Sequence, residues 1–154
     1  MSQTEHDSHR RLAADCFNRT WDYLEQKNRS REDDQMMLNL AHASRYHWSL
    51  IGKPWNFTTG DWQISRVYAA LNQPDLALSF GKAALEMSEK NDLSERLVSA
   101  YEGMARAYSV ARDYSLAREF LDKARQQLRD ASLDEEDRKT YSDQIDETER
   151  MIRK

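Results

Sequence analysis

The side chains that can take part in ligand chemistry are concentrated between positions 42 and 66. This segment contains the following aromatic, basic and acidic residues: His42, Arg45, Tyr46, His47, Trp48, Trp55, Asp61, Trp62 and Arg66. Imidazole, guanidinium and indole groups bind ligands through hydrogen bonds, charge and ring contacts. The composition of the segment therefore predicts a binding site.

The residue types do not assemble into a metal site or a catalytic motif. His42 and His47 are five residues apart, which turns them about 140° from each other around a helix. They cannot both bind one metal ion from a regular helix, so we expect structural histidines. The sequence also lacks a glycine-rich phosphate loop, a Gly-x-Ser-x-Gly motif and paired cysteines. We therefore expect no metal, no cofactor and no enzymatic activity.

Two interpretations of the aromatic residues stay open. Trp55 lies in a segment, 52–60, that is predicted to be a loop because Gly52 and a following proline end the second helix. In one interpretation the tryptophans belong to the core. In the other, an aromatic pocket binds a small molecule, and the protein is a sensor whose pocket is built from these four residues: Trp55, Trp62, His42 and Tyr46.

A basic and an aromatic side chain accompany His42 on the second predicted helix. His42, Arg45 and Tyr46 share one face there, because they are three and four residues apart. They can hydrogen-bond an anionic ligand, or they can pair with acidic residues of the first helix. Both alternatives stay open at the level of the sequence.

Composition excludes several classes of partner. The net charge is −4 and no run of lysine and arginine forms a basic stripe, so we expect no nucleic-acid partner. No stretch approaches the ~18 apolar residues of a membrane span, and the N-terminus lacks the regions of a signal peptide. The single cysteine, Cys16, is typical of a reducing compartment. We expect a cytoplasmic protein without a membrane partner.

Long helices joined by short turns must position the candidate residues. Only 4 glycines and 2 prolines occur in 154 residues, which is too few for a sheet protein rich in turns. Apolar residues recur with helical spacing in seven segments. We predict a single domain over 1–154 with a first hairpin at 8–51, further hairpins at 61–90 and 94–130, and a last helix at 134–154. The third helix is expected to begin near position 60.

The chain repeats itself at an interval of 40 residues. The identical pairs are Tyr68 and Tyr108, Leu76 and Leu116, Ala77 and Ala117, Phe80 and Phe120, and Ala84 and Ala124. This pattern of small and aromatic residues over 61–128 resembles the tetratricopeptide-repeat (TPR) family, and two shorter segments, 42–48 and 60–66, resemble parts of bacterial repeat proteins. The resemblance implies an all-α, right-handed stack of antiparallel helical hairpins, about three of them, with a C-terminal capping helix. The interval exceeds the family's usual length of about 34 residues, so either the helices or the links must be longer.

The resemblance also implies a ligand-binding groove. In the family, the first helix of each hairpin lines a concave surface, and position by position the groove residues would be Trp62, Arg66, Ala69, Glu102, Arg106 and Ser109. Arg66 and Arg106 are equivalent in the repeat, and guanidinium groups bind carboxylates through paired hydrogen bonds.

The resemblance therefore implies an adaptor that binds an acidic peptide or protein segment, unless the two arginines instead pair with Asp61 or Glu102. Family members that bind a peptide C-terminus use Asn and Lys at these positions, which this chain lacks. Because two clear repeats are few for a stable array, a homodimer is a further expectation.

Overall fold

The computed structural model describes residues 1–152, which form seven α-helices and no strands. The helices are α1 (Gln3–Leu24), α2 (Arg31–Ile51), α3 (Pro54–Ala70), α4 (Pro74–Lys90), α5 (Ser94–Val110), α6 (Tyr114–Asp130) and α7 (Glu135–Ile152). Within the described residues, none of these helices has the length and apolar character that crossing a membrane would require.

Consecutive helices pack against each other as hairpins. The three tightest pairs are α1 with α2, α3 with α4, and α5 with α6, and α7 packs on the last hairpin by contacting α5 and α6. The predicted all-α stack of three hairpins and a closing helix is thereby confirmed.

One helix followed by one short link is the unit from which each repeat is built. Helices α3 to α6 are each 17 residues long and begin at positions 54, 74, 94 and 114. The links between them are three residues long. Because the links are short, the extra length of this repeat over the family's usual unit comes from its helices.

Three of these helices end in the same kind of turn. The middle residue of each link has a left-handed backbone, with φ of 56° at Asn72, 52° at Asp92 and 64° at Arg112. The next residue then donates its N–H five residues back, as Gln73 does to the carbonyl of Tyr68 at 2.9 Å. This Schellman-type turn satisfies carbonyls at the helix end and reverses the chain within three residues.

Equivalent side chains occupy equivalent surroundings in the two repeats. The alanines are all buried: Ala77, Ala84, Ala117 and Ala124. Tyr68 stacks on Phe80 with ring centroids 5.6 Å apart, and Tyr108 stacks on Phe120 at 5.7 Å. The small residues bring the helix backbones together and the stacked rings fill the space between them.

Several predicted boundaries were wrong, and the start of α3 matters most. This helix begins at Pro54, not near position 60, because only Gly52 and Lys53 separate it from α2. Pro54 occupies the first turn, where its missing N–H is no loss, and the side chain of Asn56 accepts the N–H of Lys53 at 3.0 Å. Trp55 is therefore a helical residue and not a loop residue.

The ends of the chain differ from the prediction in smaller ways. Helix α1 begins at Gln3 and not at position 8, because Ser2 and Glu5 form a capping box. Helix α7 begins at Glu135, and the Asp134 carboxylate accepts the N–H of Asp137 at 2.8 Å. The last two positions of the predicted final helix, 153 and 154, lie outside the described residues.

The left-handed residue at position 112 provides a test of the turn geometry. We expect Arg112→Gly to raise the free energy of unfolding by about 1 kcal/mol, because glycine adopts positive φ without the steric cost that a Cβ imposes. Arg118→Gly is the matched control in the exposed interior of α6 and should lower the same quantity by roughly 0.5–1 kcal/mol. Urea unfolding of both variants measures the effects, and a loss of stability in both would contradict the assigned turn.

Candidate functional site

The candidate site lies on the face formed by the odd-numbered helices. Helix α3 contacts α5 and α5 contacts α7, so these three helices lie side by side, while α1 contacts α3 over a much shorter length. Where α1 and α3 do meet, the rings of Trp21 and Trp62 are 5.6 Å apart and Gln63 donates to the carbonyl of Phe17 at 2.9 Å. A groove therefore runs along α1 and α3 on either side of this contact.

A buried carboxylate on α5 is the centre of the groove floor. Glu102 is only 1% exposed. It accepts hydrogen bonds from Trp62 Nε1 at 3.2 Å, Arg66 Nη1 at 2.9 Å, Arg106 Nε at 3.3 Å and Thr148 Oγ1 at 3.1 Å. Four donors from α3, α5 and α7 compensate for the water that this carboxylate loses on burial.

A second carboxylate reaches the same arginines from the solvent side. Glu147 Oε2 lies 2.8 Å from Arg66 Nη2 and 3.6 Å from Arg106 Nη2, and the Glu147 side chain is 51% exposed. The Nη2 atom of Arg106 is buried and makes no hydrogen bond. Burial lowers the pKa of Arg106, an effect that the neighbouring Glu102 opposes. The two arginines thus share one buried and one accessible counter-charge.

A cavity of about 480 Å³ opens beside the arginine pair. Its lining residues are Trp21, Leu24, Glu25, Arg66, Ala70, Arg106, Gln144 and Glu147. The Arg66 guanidinium carbon is 5.1 Å from the Trp21 ring centroid, a cation–π geometry that holds the side chain in place. We call this space the arginine cavity.

A smaller cleft of about 180 Å³ lies farther along the same faces of α1 and α3. Its lining residues are Ala14, Phe17, Asn18, Trp48, Trp55, Asn56, Thr59 and Gly60. Trp55 is 40% exposed there, and the Arg96 guanidinium carbon lies 4.6 Å from its ring centroid. We call this space the tryptophan cleft.

Helix α7 is attached to α5 near the tryptophan cleft as well. The Tyr141 hydroxyl donates to Glu95 Oε1 at 2.7 Å and accepts from Arg96. Burial raises the pKa of Tyr141 to about 12, with Arg96 opposing and Glu95 adding to the shift. Arg96 also donates to Thr59 on α3 at 3.3 Å, so three helices meet at this point.

The structure brings four of the predicted groove residues together. Trp62, Arg66, Glu102 and Arg106 form one hydrogen-bonded group. Of the two acids that the sequence suggested as arginine partners, it is Glu102 that pairs with both arginines. Ala69 and Ser109, also expected in the groove, are buried at 7% and 6% exposure, and Ala70 lines the cavity instead.

The three predicted residues of α2 lie away from this group. His42 Nε2 is 3.0 Å from the Tyr68 hydroxyl, and Arg45 pairs with Asp61 at 2.9 Å. Of the two alternatives left open for these residues, pairing with acids of the first helix is not what Arg45 shows, because Asp61 belongs to α3. Tyr46 is 59% exposed.

The single aromatic pocket suggested by the sequence is not assembled. Trp55 lines the tryptophan cleft, whereas Trp62 is 5% exposed and contacts Glu102. His42 instead packs its ring against Phe80, with centroids 5.6 Å apart. The early start of α3 explains the difference, since Trp55 and Trp62 are placed at different heights of one helix.

Sequence reasoning missed the contributions of α1 and α7. Trp21 and Glu25 on α1, and Gln144 and Glu147 on α7, line the arginine cavity. The last helix does more than the capping that the resemblance implied, because Glu147 lines the cavity and Thr148 is fully buried. The interval of 40 residues leads from Arg106 to Asp146, so it does not by itself identify Glu147.

A pair of histidines joining α1 and α2 was also missed. The Nδ1 atoms of His9 and His47 are 2.9 Å apart, so one imidazole donates to the other. Burial, and to a smaller extent the nearby His9, lowers the pKa of His47. Burial likewise lowers the pKa of His42, with Asp61 opposing.

No protein-family model matches this sequence, and no curated protein or solved structure proved similar to it. The functional interpretation therefore depends on the geometry of the groove.

Removing either acid should have very different effects on stability. We expect Glu102→Gln to lower the free energy of unfolding by roughly 3–5 kcal/mol, because it leaves buried arginine charge uncompensated. Glu147→Gln, at a half-exposed carboxylate, should cost under about 1 kcal/mol. Urea unfolding compares the two, and equal losses would contradict the assignment of Glu102 as the central counter-charge.

The lowered pKa of His47 should make stability depend on pH. A lowered folded pKa means that the unfolded chain, whose histidines titrate near 6.5, binds more protons below that pH. Stability is therefore complete above pH 6.5 and is lost as pH falls toward the lowered pKa. We expect His47→Asn to flatten the dependence between pH 7.5 and 5.5 in denaturant titrations, with His42 supplying a remaining slope. Variant curves parallel to the wild type would contradict this prediction.

Proposed function

We propose that this protein is a non-catalytic, TPR-like interaction module that binds a peptide or protein segment in the groove of α1, α3, α5 and α7. The observation that carries the proposal is a pair of buried arginines, Arg66 and Arg106, that line the arginine cavity and pair there with the half-exposed Glu147. The Nη2 atom of Arg106 has no hydrogen-bond partner.

The chemistry of the group favours binding over catalysis. Arginine stays protonated across the physiological range and cannot act as a general acid or base there. Glu102 is already held by four donors and is shielded from solvent. A group of this kind recognises a negative charge and orients it, which is the usual role of a guanidinium pair.

The shape of the groove favours an extended ligand. The arginine cavity, at about 480 Å³, accommodates a side chain or a small fragment. The tryptophan cleft continues along the same two helices on the other side of the Trp21–Trp62 contact. A segment that enters both spaces spans the contact, which an extended peptide does with side chains only a few residues apart.

A blocking substitution tests this proposal without disturbing the buried ions. Ala70 is exposed and lines the arginine cavity, so Ala70→Trp should fill the cavity from the solvent side. Ser79→Trp is the matched control, since Ser79 is exposed on α4, outside that lining. We expect partners recovered from lysate with the wild type and the control to be lost with Ala70→Trp.

Direct titration of the purified partner then decides whether the groove is used. A drop in affinity of at least about tenfold for Ala70→Trp alone, or about 1.4 kcal/mol, supports the proposal. Circular dichroism and thermal unfolding of both variants establish that they are folded. Equal affinity for Ala70→Trp and the wild type would reject the groove as the binding surface.

A further inference from the structure

We infer that the groove recognises a segment carrying a carboxylate and an apolar side chain about three residues apart, and that Glu147 occupies the carboxylate position until the segment displaces it. This inference rests on the proposed function and adds to it the chemistry of the ligand.

The charges around the arginine cavity assign Glu147 the role of a replaceable partner. Arg66 and Arg106 carry two positive charges, and buried Glu102 neutralises one of them permanently. The second positive charge is balanced by Glu147. This carboxylate is half exposed and contacts both arginines through one oxygen atom, Oε2. Glu147 is the exposed member of these ion pairs, so it can exchange for a ligand carboxylate at little cost.

A ligand carboxylate can make more contacts with the two arginines than Glu147 makes. It has two oxygen atoms, and the Nη2 atoms of Arg66 and Arg106 lie 2.8 Å and 3.6 Å from the single Glu147 oxygen that it would replace. One of these atoms, on Arg106, is buried and lacks a hydrogen bond. A ligand carboxylate that bonds both guanidinium groups therefore accepts from a donor that makes no hydrogen bond in the free protein.

The same charges favour a carboxylate over a phosphate. Once Glu147 moves away, the arginines and Glu102 leave one net positive charge, which a single carboxylate balances. Glu25 also lines the cavity and would repel additional negative charge. A dianionic phosphate group would bring an excess negative charge next to two glutamates, whereas a carboxylate replaces Glu147 charge for charge.

The spacing to the apolar feature follows from helix geometry. On α3, Thr59 lines the tryptophan cleft and Arg66 lines the arginine cavity. Seven residues of helix correspond to about 10 Å at ~1.5 Å per residue. An extended peptide advances about 3.3 Å per residue, so the two ligand side chains should be roughly three residues apart.

Selection from random peptides tests this specificity even though the partner is unidentified. Phage displaying random 12-residue peptides are selected on wild-type protein, on Glu147→Gln and on Glu136→Gln. Glu136 is an exposed acid in the first turn of the same helix, outside the lining of the arginine cavity, so its variant controls for charge. We expect the selected peptides to share an Asp or Glu two to four residues from a Leu, Ile, Phe or Trp.

Synthetic versions of a selected peptide then test the displacement. We expect Glu147→Gln to bind about threefold to tenfold more tightly than the wild type and Glu136→Gln, because no internal carboxylate competes. A peptide with Gln or Asn in place of its acid should lose binding. Amidated and free C-termini distinguish a side-chain carboxylate from a terminal one as the source of the charge.

The outcomes separate this inference from the proposed function. Peptides that bind the groove but share no acidic and apolar pair overturn the inference and leave the proposed function in place, as does equal affinity for Glu147→Gln and the wild type. If selected peptides bind Ala70→Trp as well as they bind the wild type, the groove is not the binding surface and both proposals fail.

Discussion

The buried carboxylate of Glu102 is the constraint to which the rest of the groove conforms. A charge at 1% exposure is tolerable only if donors replace the lost water. Those donors come from α3, α5 and α7, so satisfying one carboxylate fixes the relative positions of three helices. It also directs Arg66 Nη1 and Arg106 Nε toward Glu102, while the two Nη2 atoms lie near Glu147. Structure and candidate function therefore depend on the same hydrogen bonds.

The regular turns explain why two arginines from different repeats meet one acid. Helices of equal length that end in the same left-handed turn keep equivalent residues at equivalent heights. Arg66 and Arg106 are separated by a full repeat of the chain, yet both reach Glu102. The stacked rings of Tyr68 and Phe80 recur in the next repeat as Tyr108 and Phe120, with nearly the same centroid separation.

Features that depend on periodicity could be predicted from the sequence, and features that depend on distant contacts could not. The buried alanines, the stacked rings and the equivalence of the two arginines follow from the interval of 40 residues. The start of α3 was misjudged because proline after glycine signals a helix end as well as a helix beginning. Glu147 was missed because the many charged residues of α7 are typical of a solvent-exposed helix, and only its packing against α5 shows that one of them reaches the arginines. The same holds for Trp21, whose partner Trp62 lies on a helix of the next hairpin.

The equal helices and their shared three-residue turns have a consequence for how such a chain can grow. A segment of 40 residues that begins at Pro54 ends at Leu93, immediately before the next helix starts in the same orientation. Copying that segment in tandem inserts a complete hairpin without a new kind of junction. The enlarged array would carry a third guanidinium in line with the first two. Each added 40-residue segment would therefore extend the recognition surface by one hairpin.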